Sequence, residues 1–395
     1  MCIPLRGGNP CQTGSETPTD SSPVCPAFDM VPPMTEPSPI SPADLADRII
    51  AGEDAAVDLD TLTRLFAGEA STWDIMAATD RIRRAFFGDE IHLCSIVNAK
   101  QGGCPEDCGF CSQSKHFSTH VTPERFLSPD EVVEASAKAQ TQQASALGLV
   151  TATRGLEDDS VALQKVVDGV KAVRDAGHTE AHGSFGFVSR EGLERLKDAG
   201  LTELNHNLET GRGYFDKIVS THSYDERIQT IKDAKELGLR TCSGGILGMG
   251  EQPVHRAELA LTLRELDVDE VPLNFLVSID GTKLEEVNPM SPMEMLRAIA
   301  CFRLALPRQN IFIAAGRMHL GQLTPLMFAA GASGMMVGDF LTTANRSVED
   351  DLAMLEELGL RGRNCGTARP EMSRPRPGMA ARPTTEGRPR LNVLN

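Results

Sequence analysis

The spacing of apolar positions changes along the chain, and from residue 91 onward it settles into a repeating order. Apolar runs of four to eight residues, the length of buried strands, alternate with longer amphipathic stretches that have the period of helices. Glycines stand before several of the runs, as they do at turns. The pattern predicts eight strands, at residues 91–97, 146–151, 180–184, 203–207, 240–247, 270–277, 310–314 and 334–337.

Helix starts fall between these runs. Ser128, Ser223 and Ser291 each precede a glutamate by three residues, which is the sequence signature of a capping box. Strands that alternate with helices form parallel sheets, and eight such units suit a closed (β/α)8 TIM-type barrel of the α/β class. A six-stranded partial barrel is the alternative. Residues 41–88 are predicted to be helices that cap one end of the barrel, with Ser71 as an N-cap.

Both ends of the chain depart from this pattern. Residues 1–40 are rich in Pro, Ser and Thr, and residues 362–395 are rich in Arg, Pro and Gly. Such segments have too few large apolar side chains to offset the entropy lost on ordering. The sequence therefore predicts a disordered N-terminal tail at 1–40, a barrel domain at 41–361 and a disordered basic C-terminal tail at 362–395.

Composition limits the class of protein. With 395 residues, of which 41% are hydrophobic, the chain can build a large core. A net charge of −16 disfavours nucleic acid and anionic membrane as partners. No apolar run reaches the roughly 18 residues of a membrane span, and residues 1–40 lack the apolar centre of a secretory signal. We expect a cytoplasmic protein that binds neither.

Candidate chemistry concentrates after the first predicted strand. Residues 103–111 read Gly-Cys-Pro-Glu-Asp-Cys-Gly-Phe-Cys and contain Cys104, Cys108 and Cys111. Cysteines at short fixed spacing usually bind metal in a protein that is not secreted. The glycines and the proline disfavour a helix, so a loop would wrap three thiolates around one centre. Three thiolates leave a fourth position open, which is typical of a reactive centre rather than a structural one.

The residues around these cysteines resemble a known family. Cys-x3-Cys-x2-Cys with an aromatic residue before the last cysteine is similar to the radical S-adenosylmethionine superfamily. Residues 98–100 (Asn-Ala-Lys), 104–108 (Cys-Pro-Glu-Asp-Cys) and 111–114 (Cys-Ser-Gln-Ser) narrow the resemblance to the biotin synthase family. It extends from about residue 71 to about residue 361, judged by the order of the motifs.

The resemblance implies a cofactor site. Cys104, Cys108 and Cys111 would hold a 4Fe–4S cluster, the centre that generates the radical. Its open iron would bind S-adenosylmethionine, and electron transfer would cleave the cofactor into methionine and a 5′-deoxyadenosyl radical. Phe110 would lie against the adenine, although packing alone would also explain an aromatic residue there.

Polar residues at later strand ends extend this set. Asn207 and Glu209 follow the fourth predicted strand and match family residues that contact the ribose. Arg227 matches a cofactor-facing arginine, with a surface helix arginine as the alternative. The resemblance implies four substrate contacts: Asn205, Asn274, Thr342 and Thr343.

Only two of the four residues that the family uses to ligate a second cluster are present in this sequence. By resemblance, Cys242 and Arg317 would ligate a 2Fe–2S cluster that serves as the sulfur source. The two further cysteines of the family fall at Gly148 and His182. Histidine can replace cysteine on iron, whereas glycine has no side chain to ligate. The alternative sources of sulfur are another auxiliary cluster, Cys94 and an external sulfur donor.

Three functional hypotheses remain. The first, implied by the resemblance, is radical-mediated sulfur insertion that converts dethiobiotin to biotin. It would need flavodoxin or ferredoxin as reductant, and the family suggests a homodimer. The second is a radical enzyme of the same group with a different reaction. The third is a non-enzymatic barrel that binds structural zinc, with His116 or His120 as fourth ligand.

Overall fold

The computed structural model describes residues 39–338, 340–343 and 345–362. The predicted tails at 1–40 and 362–395 lie outside the described residues, apart from their inner ends. The helices are α1 Pro42–Ile50, α2 Leu59–Ala67, α3 Thr72–Phe87, α4 Pro129–Thr141, α5 Val161–Ala176, α6 Arg190–Ala199, α7 Arg212–Ile218, α8 Tyr224–Glu236, α9 Pro253–Glu265, α10 Pro292–Ala305, α11 Leu326–Ala329 and α12 Val348–Glu357, with a 3₁₀ helix at Arg317–Leu323.

The strands match the predicted runs closely. They are β1 Glu90–Lys100, β2 Ala146–Thr151, β3 Gly155–Leu156, β4 Glu180–Ser184, β5 Phe187–Val188, β6 Leu201–Asn205, β7 Arg240–Cys242, β8 Gly245–Leu247, β9 Glu270–Phe275, β10 Asn310–Ile313, β11 Gly334–Met336 and β12 Arg361–Gly362. The fifth predicted strand is interrupted, since Ser243 and Gly244 separate β7 from β8.

Eight strand positions close into a parallel barrel. The circuit runs β1, β2, β4, β6, β7, β9, β10 and β11, and β11 returns to pair with β1. The prediction of a (β/α)8 barrel is therefore confirmed, and the six-stranded alternative is wrong because β10 pairs with both β9 and β11. The strands β3 and β5 form a small separate ribbon, and β12 pairs with β1.

Local sequence explains where the helices begin. The side chains of Ser128, Ser223 and Ser291 each accept a hydrogen bond from the backbone amide of the predicted glutamate, and the carboxylate of that glutamate accepts one from the serine amide, so all three capping boxes form. Ser71 precedes α3 as predicted, without a side-chain bond. The helices α1 and α3 pack on each other and on α10, and α2 packs on α9 and α10. Within the described residues, none of the helices combines the length and apolarity that crossing a bilayer requires.

Candidate active site at the mouth of the barrel

The three-cysteine loop leaves the carboxyl end of β1, where barrel enzymes place their active sites. Residues 101–128 form turns and bends rather than a helix, as predicted. The loop folds back on itself, because the amide of Cys104 donates to the carbonyl of Gln113 at 2.9 Å and the amide of Lys115 donates to the carbonyl of Cys104 at 2.8 Å. The amide of Cys111 also donates to the carbonyl of Cys108 at 2.9 Å.

Two carboxylates fasten this loop to the segment before α8. Glu106 accepts hydrogen bonds from Arg154 at 2.7 Å and from Thr221 and His222. Burial alone would raise the pKa of Glu106, but these hydrogen bonds outweigh it and lower the pKa. Glu106 and Asp107 belong to the family motif of the loop, and their side-chain contacts to this segment were not predicted from the sequence.

Asp107 makes the second fastening. It accepts the amides of Ser220 at 2.9 Å and Thr221 at 3.2 Å. Burial opposes ionisation of Asp107, yet the hydrogen bonds from Ser220 and Thr221 lower its pKa to about 2. Asp107 is therefore an anion at neutral pH, and it holds the loop through the backbone amides and the side-chain hydroxyls of Ser220 and Thr221.

The loop thiols are protonated in the absence of a bound cation. Burial raises the pKa of Cys104, raises that of Cys111 to about 11 and raises that of Cys108 further. A thiolate is the form that ligates metal, so binding must release these protons.

Spacing argues against a single zinc ion in the loop. Three sulfurs bonded to one zinc at about 2.3 Å lie about 3.8 Å apart. Within the described residues, the group whose donor atoms all lie within 4.8 Å of one another is Glu203, Cys242 and Glu270, and it includes none of the loop thiols. The ring of His116 is used elsewhere, with Nε2 2.9 Å from a backbone carbonyl of the loop, and His120 is exposed. The wider thiol spacing suits a multi-atom cluster.

Arg227 lies beside the cysteine loop and the end of β6. Its Nη1 donates to the carbonyl of Asn207 at 2.7 Å and is 3.5 Å from Oε1 of Glu209. Its Nε donates to Nε2 of His222 at 2.9 Å. The side chain is 10% exposed, so the structure places Arg227 inside the site rather than on the surface of α8.

Glu209 has an unusual backbone. Its φ of 69° lies in the left-handed region, which non-glycine residues seldom adopt. The conformation is held by hydrogen bonds on both sides, from the Glu209 amide to the carbonyl of Gly244 at 3.1 Å and from the Ile246 amide to the carbonyl of Glu209 at 2.8 Å. Burial raises the pKa of the Glu209 carboxyl, against the influence of Arg227. Strain of this kind concentrates at functional sites.

A cavity of about 230 Å³ joins the loop to the far side of the barrel mouth. Phe110 and Cys111 line it from the loop, and Asn274, Thr342 and Thr343 line it from the later strands. The structure thus brings together five of the residues that the sequence selected. The rest of the lining is largely apolar: Ile96, Ile246, Phe275, Leu276, Val277, Ile279, Ala314, Ala315, Met336, Phe340 and Leu341.

The polar groups of this cavity are held in fixed orientations. The amide of Asn274 donates to the carbonyl of Gly245 at 3.3 Å and accepts from the amide of Ala315 at 3.1 Å. Ser112 donates to the hydroxyl of Thr342 at 3.2 Å. Ser112 was not among the predicted site residues, although it immediately follows the last loop cysteine. Its position at a strand-end loop was the available signal.

The paired glycines of the fifth predicted strand, Gly244 and Gly245, lie close to neighbouring backbone. A Cβ at Gly244 would lie 1.9 Å from the carbonyl oxygen of Pro272, and one at Gly245 would lie 2.4 Å from that of Glu209. Their backbones approach neighbouring backbone rather than a ligand. The glycines therefore allow the strand break that receives the segment at Glu209.

The predicted second-cluster residues do not assemble into a cluster site. Asn205 donates to Sγ of Cys242 at 3.1 Å, so these two do meet inside the barrel. The guanidinium of Arg317 is instead committed to Asp351, with bonds of 2.7 and 2.6 Å. Beside Cys242, the strand β10 presents Phe312, which has no donor atom.

Gly148 and His182, at the positions of the two further cysteines of the family, do not fit a cluster either. A Cβ at Gly148 would meet Ile96 at 3.1 Å, so the space for a longer side chain is already filled. The ring of His182 is bonded to Glu203 at 3.1 Å and lies 3.4 Å from Glu180. These residues do not fit a 2Fe–2S cluster, which needs four ligands around two irons.

Comparisons with known proteins agree with the fold and the loop. The model of the Radical SAM superfamily matches residues 99–263, and that of the Biotin and Thiamin Synthesis associated domain matches residues 272–361. A biotin synthase of Carboxydothermus hydrogenoformans is 40% identical over 322 residues, which is 80% of this chain and 99% of that protein. One of Anaeromyxobacter sp. is 46% identical over 297 residues, 75% of this chain and 80% of that protein.

Solved structures share the architecture at low identity. A methylornithine synthase aligns with a TM-score of 0.69 and 19% identity, covering 81% of this chain and 97% of its own. An FeFe-hydrogenase maturase from Carboxydothermus hydrogenoformans aligns with a TM-score of 0.67 and 16% identity, covering 82% of this chain and 81% of its own. At these identities the likeness concerns the fold alone.

A closed parallel barrel with a three-cysteine loop after its first strand defines the radical S-adenosylmethionine class of enzymes, with its 4Fe–4S cluster and cofactor. Within that class, the chain belongs to the biotin synthase family.

Proposed function

We propose that this protein is a biotin synthase, which converts dethiobiotin to biotin by radical-mediated sulfur insertion. The observation that carries the proposal is the near-complete overlap with a curated biotin synthase, 99% of whose length aligns at 40% identity. The cavity supports it, because it joins the cysteine loop to polar groups suited to a small carboxylate substrate.

We assign the loop to the cofactor. Cys104, Cys108 and Cys111 would hold a 4Fe–4S cluster, and the donor set fits it because three thiols, one buried and two half-buried, share one loop beside the cavity. When bound, cluster and S-adenosylmethionine supply the one-electron chemistry that makes a carbon radical. Arg227 would hold the carbonyl of Asn207 in place, so that the Asn207 and Glu209 side chains face the ribose. Phe110 would cover the adenine.

The substrate would occupy the opposite part of the cavity. Thr342 and Thr343 are hydroxyl donors for its carboxylate, and the Ser112 bond fixes the Thr342 side chain. Asn274 and Asn205 would orient the polar ring of dethiobiotin. The apolar lining would exclude water from a reactive radical, which is the protein's contribution in such chemistry.

A 2Fe–2S cluster in the barrel is not the expected sulfur donor, since Gly148 and His182 provide no thiol at the two further cysteine positions of the family. We therefore expect biotin formation to require added sulfide, a persulfide or a donor protein. Flavodoxin or ferredoxin would serve as reductant, and a homodimer is the expected assembly.

Anaerobic reconstitution tests the function directly. The full chain is loaded with iron and sulfide, reduced, and given S-adenosylmethionine, dethiobiotin and a sulfur source. We expect about four irons per chain, 5′-deoxyadenosine and biotin. Cys108→Ser should abolish both products, whereas Cys301→Ser, at a buried cysteine of α10, should retain both. Absence of bound iron in the reconstituted chain would refute the radical mechanism.

The absent auxiliary ligands favour a second candidate, a radical enzyme of the same family that does not insert sulfur. Its signature would be 5′-deoxyadenosine formation with dethiobiotin but without biotin, under every sulfur source. Deuterium transfer from labelled dethiobiotin into 5′-deoxyadenosine tests whether dethiobiotin is the substrate in either case. Transfer would show that dethiobiotin is positioned at the radical, and its absence would identify dethiobiotin as the wrong substrate.

A further inference from the structure

We propose that the interior of the barrel binds one divalent transition-metal ion, of the zinc or ferrous class, on Glu203, Cys242 and Glu270. This mononuclear site goes beyond the proposed function and would take the place that an iron–sulfur cluster cannot occupy in this chain.

Geometry brings the three ligands together. They lie on neighbouring strands β6, β7 and β9, with Cys242 directly paired with Glu270 in the sheet. A carboxylate oxygen of Glu203, Sγ of Cys242 and a carboxylate oxygen of Glu270 all lie within 4.8 Å of one another. The residues are 2%, 4% and 5% exposed, respectively. One thiolate and two carboxylates match the ligand types of zinc sites.

A fourth side chain lies beside one of the three ligands. His92 lies on β1 across the barrel, is 8% exposed, and its Nε2 has no hydrogen-bond partner. That nitrogen is 3.6 Å from Oε2 of Glu270, which is too far for a hydrogen bond. A buried imidazole nitrogen without a partner is costly, and a metal ion between His92 and Glu270 would satisfy it.

The surrounding residues hold the ligands as an outer shell would. Nδ1 of His182 is 3.1 Å from Oε1 of Glu203, and Nε of Arg240 donates to its Oε2 at 3.3 Å. Asn205 donates to Sγ of Cys242 at 3.1 Å. Outer-shell bonds of this kind orient metal ligands and tune their affinity.

Other groups surround the three ligands. Arg240 is bonded to Glu180 and Glu203, and Nε2 of His92 lies 3.6 Å from Glu270. Beside Cys242, Phe312 offers no donor atom for a second metal.

Cobalt binding tests the proposal separately from the radical reaction. The background is the full chain with serine at the loop cysteines and at the cysteines outside the described residues, which leaves Cys94, Cys242 and Cys301. Far-UV circular dichroism first checks that it folds. Titration should show about one Co²⁺ per chain with a thiolate-to-cobalt charge-transfer band in the near ultraviolet.

Matched variants locate the ion. Cys242→Ser should remove the charge-transfer band, and Cys301→Ser should leave it unchanged. Glu270→Gln should weaken Co²⁺ affinity at least about tenfold, and His182→Gln should weaken it about 10–100-fold through Glu203. Binding that persists with its band in Cys242→Ser, or a folded background chain that binds no Co²⁺, would overturn the proposal.

Two further measurements keep the test decisive if the background chain does not fold. The wild-type chain with its loop cluster built should bind Zn²⁺ in a shell of one sulfur and several oxygen or nitrogen atoms, measured by X-ray absorption at the zinc edge. A shell of four sulfurs would contradict the site. Acid-labile sulfide beyond that of the loop cluster would show an auxiliary cluster instead and would equally overturn the proposal.

Discussion

Arg227 connects three parts of the site that are distant in sequence. It donates to His222, which contacts Glu106 of the cysteine loop, and it also donates to the carbonyl of Asn207 at the end of β6. Because Nε2 of His222 accepts from Arg227, the proton of that ring lies on Nδ1 and faces Glu106. This chain of bonds positions the loop and the ribose segment relative to each other.

Substitution of Arg227 tests that role. Arg227→Met keeps the length of the side chain but removes every donor, so the carbonyl of Asn207 loses its partner. We expect KM for S-adenosylmethionine to rise about tenfold, equivalent to about 1.4 kcal/mol, with a smaller effect on kcat. Arg212→Met is the control, because Arg212 is 54% exposed and paired with Asp225 outside the cavity. Equal KM values for both variants would exclude the role.

His206 gives a prediction for pH. It is 5% exposed, and burial and the positive charge of Arg227 lower its pKa well below the usual value. The folded chain therefore keeps His206 neutral where the unfolded chain protonates it. Stability contributed by the neutral ring is present above pH ~6.5 and is lost as the pH falls below it, by up to about 1.4 kcal/mol per pH unit.

Urea unfolding between pH 8 and pH 5 measures this effect. The free energy of unfolding of the wild-type chain should fall more steeply on acidification than that of His206→Gln, which cannot titrate. All other groups are common to both chains, so the difference isolates His206. Parallel curves for the two chains would show that folding does not lower the pKa of His206.

At the scale of elements, the break between β7 and β8 shapes the site. The amide of Gly244 donates to Oδ1 of Asn207 at 3.1 Å, and its carbonyl accepts the amides of Leu208 and Glu209. A regular strand would use these groups for its own ladder. The interruption therefore presents backbone donors and acceptors to the segment that carries the predicted ribose contacts.

Gly244→Ala should damage this element. The new Cβ would lie 1.9 Å from the carbonyl oxygen of Pro272, so the backbone of β8 or β9 must move. We expect the free energy of unfolding to fall by about 3 kcal/mol, measured by chemical denaturation. Gly169→Ala is the control in α5, where the nearest atom is a Leu149 methyl at 3.3 Å and helix propensity favours alanine. A Gly244→Ala chain as stable as that control would refute the account.

At the scale of the whole molecule, closure of the barrel gathers the site. The pairing of β11 with β1 brings residues near 340 beside the cysteine loop, where Nδ2 of Asn98 donates to the carbonyl of Leu341 at 3.0 Å. The two ends of the barrel domain therefore meet at the cavity. In an open partial barrel, Thr342 and Thr343 would not lie across the cavity from Phe110.

The described residues should suffice for folding and radical formation. An alignment of 322 residues spans 99% of a biotin synthase, so that relative lacks counterparts for most of the two predicted tails. We expect a chain of residues 39–362 to keep the urea midpoint and the 5′-deoxyadenosine yield of the full chain. Residues 91–362, which lack α1 to α3, are the contrast and should lose stability because these helices pack on α9 and α10. A loss of yield in the longer fragment would show that the tails take part.

Much of the fold could be predicted because strand and helix periods are local properties. The eight apolar runs match the barrel strands within a few residues, and the three serine caps form as predicted. The break at Ser243 could not be read from the pattern, because it depends on the backbone of β9 beside it. The pairing of Arg317 with Asp351 could not be predicted from the sequence either, because the two residues lie 34 positions apart along the chain.

The sequence by itself determined that the chain is a parallel barrel with a three-thiol loop and polar strand ends, because periodicity, caps and motif spacing are written along the chain. Only the tertiary structure decided which side chains meet across the barrel. Glu203, Cys242 and Glu270 lie on three separate strands, and each alone is an isolated residue in an apolar run. Their convergence follows from strand register and closure, which arise from contacts between distant segments.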